Sequence, residues 1–167
     1  RTEAEAFVAA CRYPPQGIRS YGPVHGALGA GREHVARANE IVLTFAMIET
    51  AGGFGNLDEI ASTPGLSGLY VGPSDLSLGL GLDTFADLGD PRLLEALDAV
   101  VDAAKHHEIV SGVHAPAPER SAAMAERGFR FVTPAVDTSL IVDGASASIE
   151  RTRTLLGTGE DERRDVR

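Results

Sequence analysis

Apolar positions along this chain follow two different periods, and the switches between them outline the elements. Residues 2–12 (TEAEAFVAACR) open with Thr2 as a cap and acids behind it, and carry an apolar stripe through Phe7 and Val8, which predicts a helix. Tyr13-Pro14-Pro15-Gln16-Gly17 ends it, because proline lacks a donor and restricts the residue before it. The glycine-rich stretch 18–31 reads as loop, and 32–40 as a short polar helix. Residues 41–48 (IVLTFAMI) are almost continuously apolar and rich in β-branched side chains, which predicts a strand buried on both faces. A short helix over 56–62 and a second buried strand over 68–72 follow. Residues 90–107 show a helical face of Leu93, Leu94, Leu97, Val100, Val101 and Ala104. A third strand is expected over 109–113 and a helix over 118–127 with Gly128 as its C-cap. A fourth strand over 129–136 and a last helix over 144–156 complete the series.

Buried strands alternating with helices argue a parallel α/β fold, either a doubly wound sheet or a (β/α)8 barrel. Each of the four strands runs into polar residues at its C-terminal end: Glu49-Thr50, Gly72-Pro73-Ser74-Asp75, His114 and Asp137-Thr138. In a barrel all four ends would meet at one rim, where barrel enzymes keep their chemistry. The chain has 167 residues, against the roughly 250 of a complete barrel. Together with Arg1 in place of an initiator Met, that length reads as a fragment or a processed chain of one domain, residues 1–156, with a charged and frayed tail at 157–167.

Composition narrows the function. A net charge of −9 and a pI near 4.9 disfavour nucleic acid and anionic lipid as partners. No run approaches the ~20 apolar residues of a membrane span, and the single Cys11 forms no internal disulfide, so a reducing cytoplasm is the expected location. Glu49 at the edge of an apolar strand and Asp75 one strand over are candidate ligands for a hard divalent ion, Mg2+ or Mn2+. The plainer alternatives are a helix cap for Glu49 and a turn aspartate for Asp75. Backbone N–H groups around Ser74 could hold a carboxylate, or form an ordinary turn. His114 either lines the pocket or simply packs, and His106-His107 suits a helix C-terminus. Gly52-Gly53-Phe54-Gly55 lacks the Lys-Ser/Thr ending of a phosphate loop.

Several segments, in order, resemble one family. Arg12-Tyr13-Pro14-Pro15-Gln16-Gly17-Ile18-Arg19-Ser20 is similar to the RYPPxGxR segment of the HpcH/HpaI aldolases. Met47-Ile48-Glu49-Thr50 resembles their strand-ending MIET or QIE motif, and Gly72-Pro73-Ser74-Asp75-Leu76-Ser77 their GPxDLS motif. Gly112-Val113-His114, Gly128-Phe129-Arg130-Phe131-Val132 and Val136-Asp137 resemble the last two strands. The resemblance covers the chain to about Leu156 and implies about the last four strands of a (β/α)8 TIM barrel of the phosphoenolpyruvate/pyruvate superfamily.

The activity it implies is class II aldol cleavage of 4-hydroxy-2-oxo acids to pyruvate and an aldehyde through an enolate stabilised by Mg2+ or Mn2+. Glu49 and Asp75 are then the metal ligands, and Gly72, Pro73, Ser74, Met47 and His114 line the substrate. A homotrimer or homohexamer is implied, with the last helix packing on a neighbour. The only lysine, Lys105, lies on a helix surface, which argues against a Schiff-base mechanism. The chain departs from the family pattern in three ways. The catalytic histidine and the substrate-binding arginine belong to strands preceding Arg1, so an isolated chain should expose apolar edges. Met47 stands where many members have glutamine, and His25 where close relatives often have arginine. A citrate-lyase-like or malyl-CoA-lyase-like enzyme and a non-catalytic truncated remnant are the competing readings.

Overall fold

The computed structural model describes residues 1–22, 33–83 and 87–157; His25, Arg32, most of the 18–31 loop and the tail beyond Gly157 lie outside them. The chain opens with α1 (Thr2–Cys11) and, after the undescribed stretch, α2 (Glu33–Ile41). It then alternates β1 (Phe45–Ile48), α3 (Ala51–Gly55), α4 (Leu57–Ala61), β2 (Gly68–Val71), α5 (Pro73–Gly79) and α6 (Pro91–His106). β3 (Val110–His114), α7 (Pro118–Arg127), β4 (Phe131–Thr133) and α8 (Asp137–Leu155) follow. The strands form one sheet in the order β1-β2-β3-β4, every pair parallel. A doubly wound sheet reverses its strand order at a switch point, whereas a barrel adds each strand beside the last. The observed order is therefore that of an arc of a (β/α)8 barrel, about half of one.

The curl of the arc is visible in its aromatic side chains. In a flat sheet β1 and β4 would stand about 14 Å apart, three spacings of about 4.8 Å. The rings of Phe45 on β1 and Phe131 on β4 nevertheless lie 5.2 Å apart, and Tyr70 on β2 sits 5.8 Å from Phe131. Glycine makes room for them. A Cβ on Gly68 would collide with the Phe45 ring, and one on Gly112 would sit 2.7 Å from the Tyr70 ring. Phe45, Tyr70 and Phe131 thus share the concave face, which corresponds to the barrel interior.

The convex face carries the core. Ile48, Leu69, Val71 and Val113 are fully buried there, in one cluster with Leu93, Leu97, Val100 and Val101 of α6. Each such side chain contributes about 1.5–3 kcal/mol through burial. α6 is held at its start by Asp90, whose carboxylate accepts the Arg92 N–H at 2.9 Å, and is tied to α7 by Arg127 on Asp98 at 2.6 Å. The expectation of strands buried on both faces holds only on this side. Met47 and Phe131 are about half exposed, because among the described residues no further strand closes over the concave face and the β1 edge.

Several boundaries differ from the sequence reading. Ile41 completes α2, with Val42 N–H still bonded to Ala38 at 3.0 Å. The buried Arg12 guanidinium then takes the Val42 carbonyl at 2.7 Å. Thr44 clasps the Gly65 carbonyl and the Ser67 backbone through its hydroxyl, so β1 starts only at Phe45. The short helix expected over 56–62 is preceded by another, α3, because Thr50 caps Gly53 with its hydroxyl. Pro73 begins a helix, α5, where only a turn was expected. β4 is three residues long, and α8 starts at Asp137 rather than Gly144. Along α8 the hydroxyls of Ser148, Thr152 and Thr154 bond back to carbonyls four residues earlier.

The aromatic packing gives a direct test. Gly112→Ala places a methyl against the Tyr70 ring and 3.1 Å from that of Phe131. Overpacking of this kind costs about 1–3 kcal/mol. The urea midpoint should fall accordingly, while a substitution at the open Gly144 on α8 should leave the sheet unaffected.

Candidate active site

Glu49 and Asp75 come from different elements and meet over one glycine. Glu49 directly follows Ile48, the fully buried last residue of β1, which fixes its backbone. Asp75 is the third residue of α5, whose first intrahelical bond runs from Leu76 N–H to the Gly72 carbonyl at 2.9 Å. A Cβ built on Gly72 would lie 3.4 Å from Glu49 Oε2 and 3.7 Å from Asp75 Oδ2. Both carboxylates therefore face the same small gap above Gly72. The two elements can approach because Gly79 at the far end of α5 has no side chain: a Cβ there would meet the Glu49 carbonyl at 3.1 Å and the Ala51 nitrogen at 3.0 Å.

The simpler readings of these acids do not survive this geometry. The residue that caps α3 is Thr50, not Glu49. Asp75 sits inside a helix rather than in a turn, and that helix has no side-chain cap. Two carboxylates converging on a gap with no basic partner in the described contacts form an oxygen donor set suited to a hard divalent ion.

Next to this gap, Pro73, Ser74, Leu88, His114, Ala115, Pro116, Arg120 and Met124 enclose a cavity of about 150 Å³. Ser74 opens α5 just after Pro73, so its backbone N–H belongs to the first turn, where helix geometry supplies no internal acceptor. His114 ends β3 with its Nδ1 3.4 Å from the Tyr70 hydroxyl, which in turn lies 2.6 Å from Thr133 Oγ1. Tyr70 and Thr133 were not singled out in the sequence. The strand alternation that puts residues 68, 70 and 112, 114 on one face was the available signal. Met47 is in register with Tyr70 on the concave face and also borders a cleft of about 340 Å³ at the free edge of β1, with Phe7, Phe45 and Ile60. Asp137 begins α8 and accepts the Thr138 N–H at 2.8 Å.

Residues 1–144 match the family model described as HpcH/HpaI aldolase/citrate lyase. The chain belongs to this family. It is 34% identical over 155 residues to a hydroxypyruvate/pyruvate aldolase of Rhizorhabdus wittichii, covering 93% of this chain and 62% of that protein. It is also 34% identical over 142 residues to a 5-keto-4-deoxy-D-glucarate aldolase of Escherichia coli, covering 84% and 55%. The structure of an HpcH/HpaI aldolase/citrate lyase family protein from Burkholderia cenocepacia superposes with a TM-score of 0.75 at 28% identity, over 91% of this chain and 61% of that one. Macrophomate synthase superposes with a TM-score of 0.71 at 27% identity, over 93% and 56%. This HpcH/HpaI chain thus spans a little over half the length of the curated relatives it matches.

Gly72→Ala separates the gap from the fold. Its φ of −96° suits alanine, and the added methyl makes only ordinary contacts, so the melting temperature should hardly change. The methyl would nevertheless occupy the space between the two carboxylates. Mn2+ affinity, read from the paramagnetic signal of the free ion, should drop by about tenfold or more, the scale of loss when the surroundings of metal ligands are disturbed.

Proposed function

We propose that this chain carries the metal- and oxo-acid-binding half of a class II pyruvate aldolase. The reaction is the reversible cleavage of a 4-hydroxy-2-oxo acid to pyruvate and an aldehyde. The observation that carries the reading is the convergence of Glu49 and Asp75 over Gly72, at the C-terminal ends of adjacent parallel strands. Membership in an aldolase/citrate lyase family supports it, as does similarity to the two aldolases.

Glu49 and Asp75 would hold Mg2+ or Mn2+, which when bound supplies Lewis acidity at the 2-oxo group. Backbone N–H groups of Ser74 and Asp75 in the first turn of α5 would hold the oxo-acid carboxylate, assisted by the positive end of the helix. Pro73 contributes no donor and stiffens this turn. His114, oriented by Tyr70 and Thr133, forms the wall of the adjoining cavity. The unit acting here is residues 1–156, in a reducing cytoplasm. Among the described residues no helix is long and apolar enough to cross a membrane.

Exchange of the pyruvate methyl protons for deuterium, followed by NMR with Mg2+, tests the enolising step alone. Exchange that stops with a chelator and falls at least about a hundredfold in Glu49→Gln supports the site, on the scale of losing an electrostatic contact to developing charge. No exchange from a folded sample would favour a non-catalytic remnant for this chain. The second reading, a citrate-lyase-like or malyl-CoA-lyase-like enzyme, draws on the family description and on a citrate synthase structure, SbnG, that superposes with a TM-score of 0.70 at 27% identity. Cleavage of citrate or malyl-CoA in preference to 4-hydroxy-2-oxo acids would move it ahead.

A homotrimer or homohexamer is proposed from the resemblance, and the surface of α8 is compatible with it. None of its residues is buried, and Leu140, Ile141, Val142 and Ile149 are all exposed. Light scattering should show an assembly that Ile141→Glu reduces to smaller species; a monomeric wild type would rule this out.

A further inference from the structure

At the rim opposite the two carboxylates, three metal-ligating side chains meet. α6 covers the sheet antiparallel to its strands, so its C-terminal His106 and His107 lie where β3 begins at Val110. α4 packs against that end and brings Asp58. Asp58 Oδ1 lies 2.7 Å from His107 Nε2, and the His106 and His107 rings meet edge to face with centroids 4.8 Å apart. One ligand atom from each of the three falls within 4.8 Å of the other two, and among the described residues no other trio of His, Cys, Asp or Glu does so. The His107 side chain is 19% exposed and the Asp58 side chain 80%, so one donor is anchored and another faces solvent. The Asp58 carboxyl is held below its ordinary range, chiefly by its hydrogen bond with His107 and further by charge from His107 and His106.

We propose that Asp58, His106 and His107 form a second divalent-metal site, selective for borderline ions such as Zn2+ or Ni2+, that clamps α4 to α6. Two imidazole nitrogens and one carboxylate oxygen are the donor set those ions take, with water completing the shell. Glu49 and Asp75 offer oxygen alone and suit Mg2+ or Mn2+, so donor chemistry separates the two sites. Bonds of about 2.0–2.2 Å at tetrahedral angles set donor atoms about 3.3–3.5 Å apart. The 2.7 Å Asp58–His107 contact must open slightly and the widest separation must close, and exposed Asp58 and His106 have the rotamer freedom to do both. A simple ion pair accounts for the Asp58–His107 contact; the metal site adds His106 as a third donor. The proposal is independent of the aldolase reading, since it uses none of that site's residues.

Calorimetric titration of tag-free protein with ZnCl2 or NiCl2, in excess Mg2+, tests it. One equivalent should bind saturably, raise the melting temperature, and shift the imidazole NMR signals of His106 and His107 but not of His114. His106→Ala, a change at an exposed side chain, should weaken binding at least about tenfold. His106→Ala/His107→Ala should abolish it, and Glu49→Gln should leave it intact. Binding that survives the double variant, disappears in Glu49→Gln, or fails to reach one equivalent in the wild type would overturn the proposal. If the double variant does not fold, undiminished affinity in His106→Ala alone would do so.

Discussion

The packing of Phe131 against Phe45 and Tyr70, in space left by Gly68 and Gly112, is the contact on which the arrangement depends. A sheet of four strands can be nearly flat, and its strand ends then spread along a line. Drawing the first and fourth strands together through aromatic rings curls it instead. The curl turns Glu49, Asp75 and His114 toward a common rim and gives the convex face the shape that α6 covers. The two glycines therefore matter for what they omit. The methyl that alanine would add has no room beneath the rings.

Curvature and burial also divide the chemistry between two rims. At the C-terminal ends of the strands stand the Glu49 and Asp75 carboxylates, a set of oxygen donors. At the other rim α6 ends in two histidines opposite an aspartate, a softer donor set. The layers between them are apolar, with Leu69, Val71 and Val113 fully buried, so each group of charges is isolated from the other.

The exposed surfaces follow the same logic. The concave side leaves Met47 and Phe131 half open, and α8 buries none of its residues. Apolar side chains in such numbers at the sheet edge and along one helix are the sort of surface that proteins cover with further strands or a neighbouring subunit. The larger cleft beside β1 belongs to this open edge rather than to the site.

The sequence by itself determined the parallel α/β alternation, the helices over α1, α6 and α7, and the two strand-end acids. Those signals are local: a buried parallel strand is a short apolar run, an amphipathic helix repeats its apolar residues every three to four positions, and Glu49 follows Ile48 directly. Start points were less legible where side chains from far along the chain decide them. Thr44 delays β1 by bonding residues 65 and 67, and Arg12 reaches Val42 across thirty positions. Only the tertiary structure decided that the sheet curls and that α5 presents Asp75 beside Glu49. The pairs Tyr70–Thr133, 63 residues apart, and Asp58–His107, 49 apart, belong to the same class. No local pattern encodes such contacts, because each depends on where packing places two segments that have no neighbours in common along the chain.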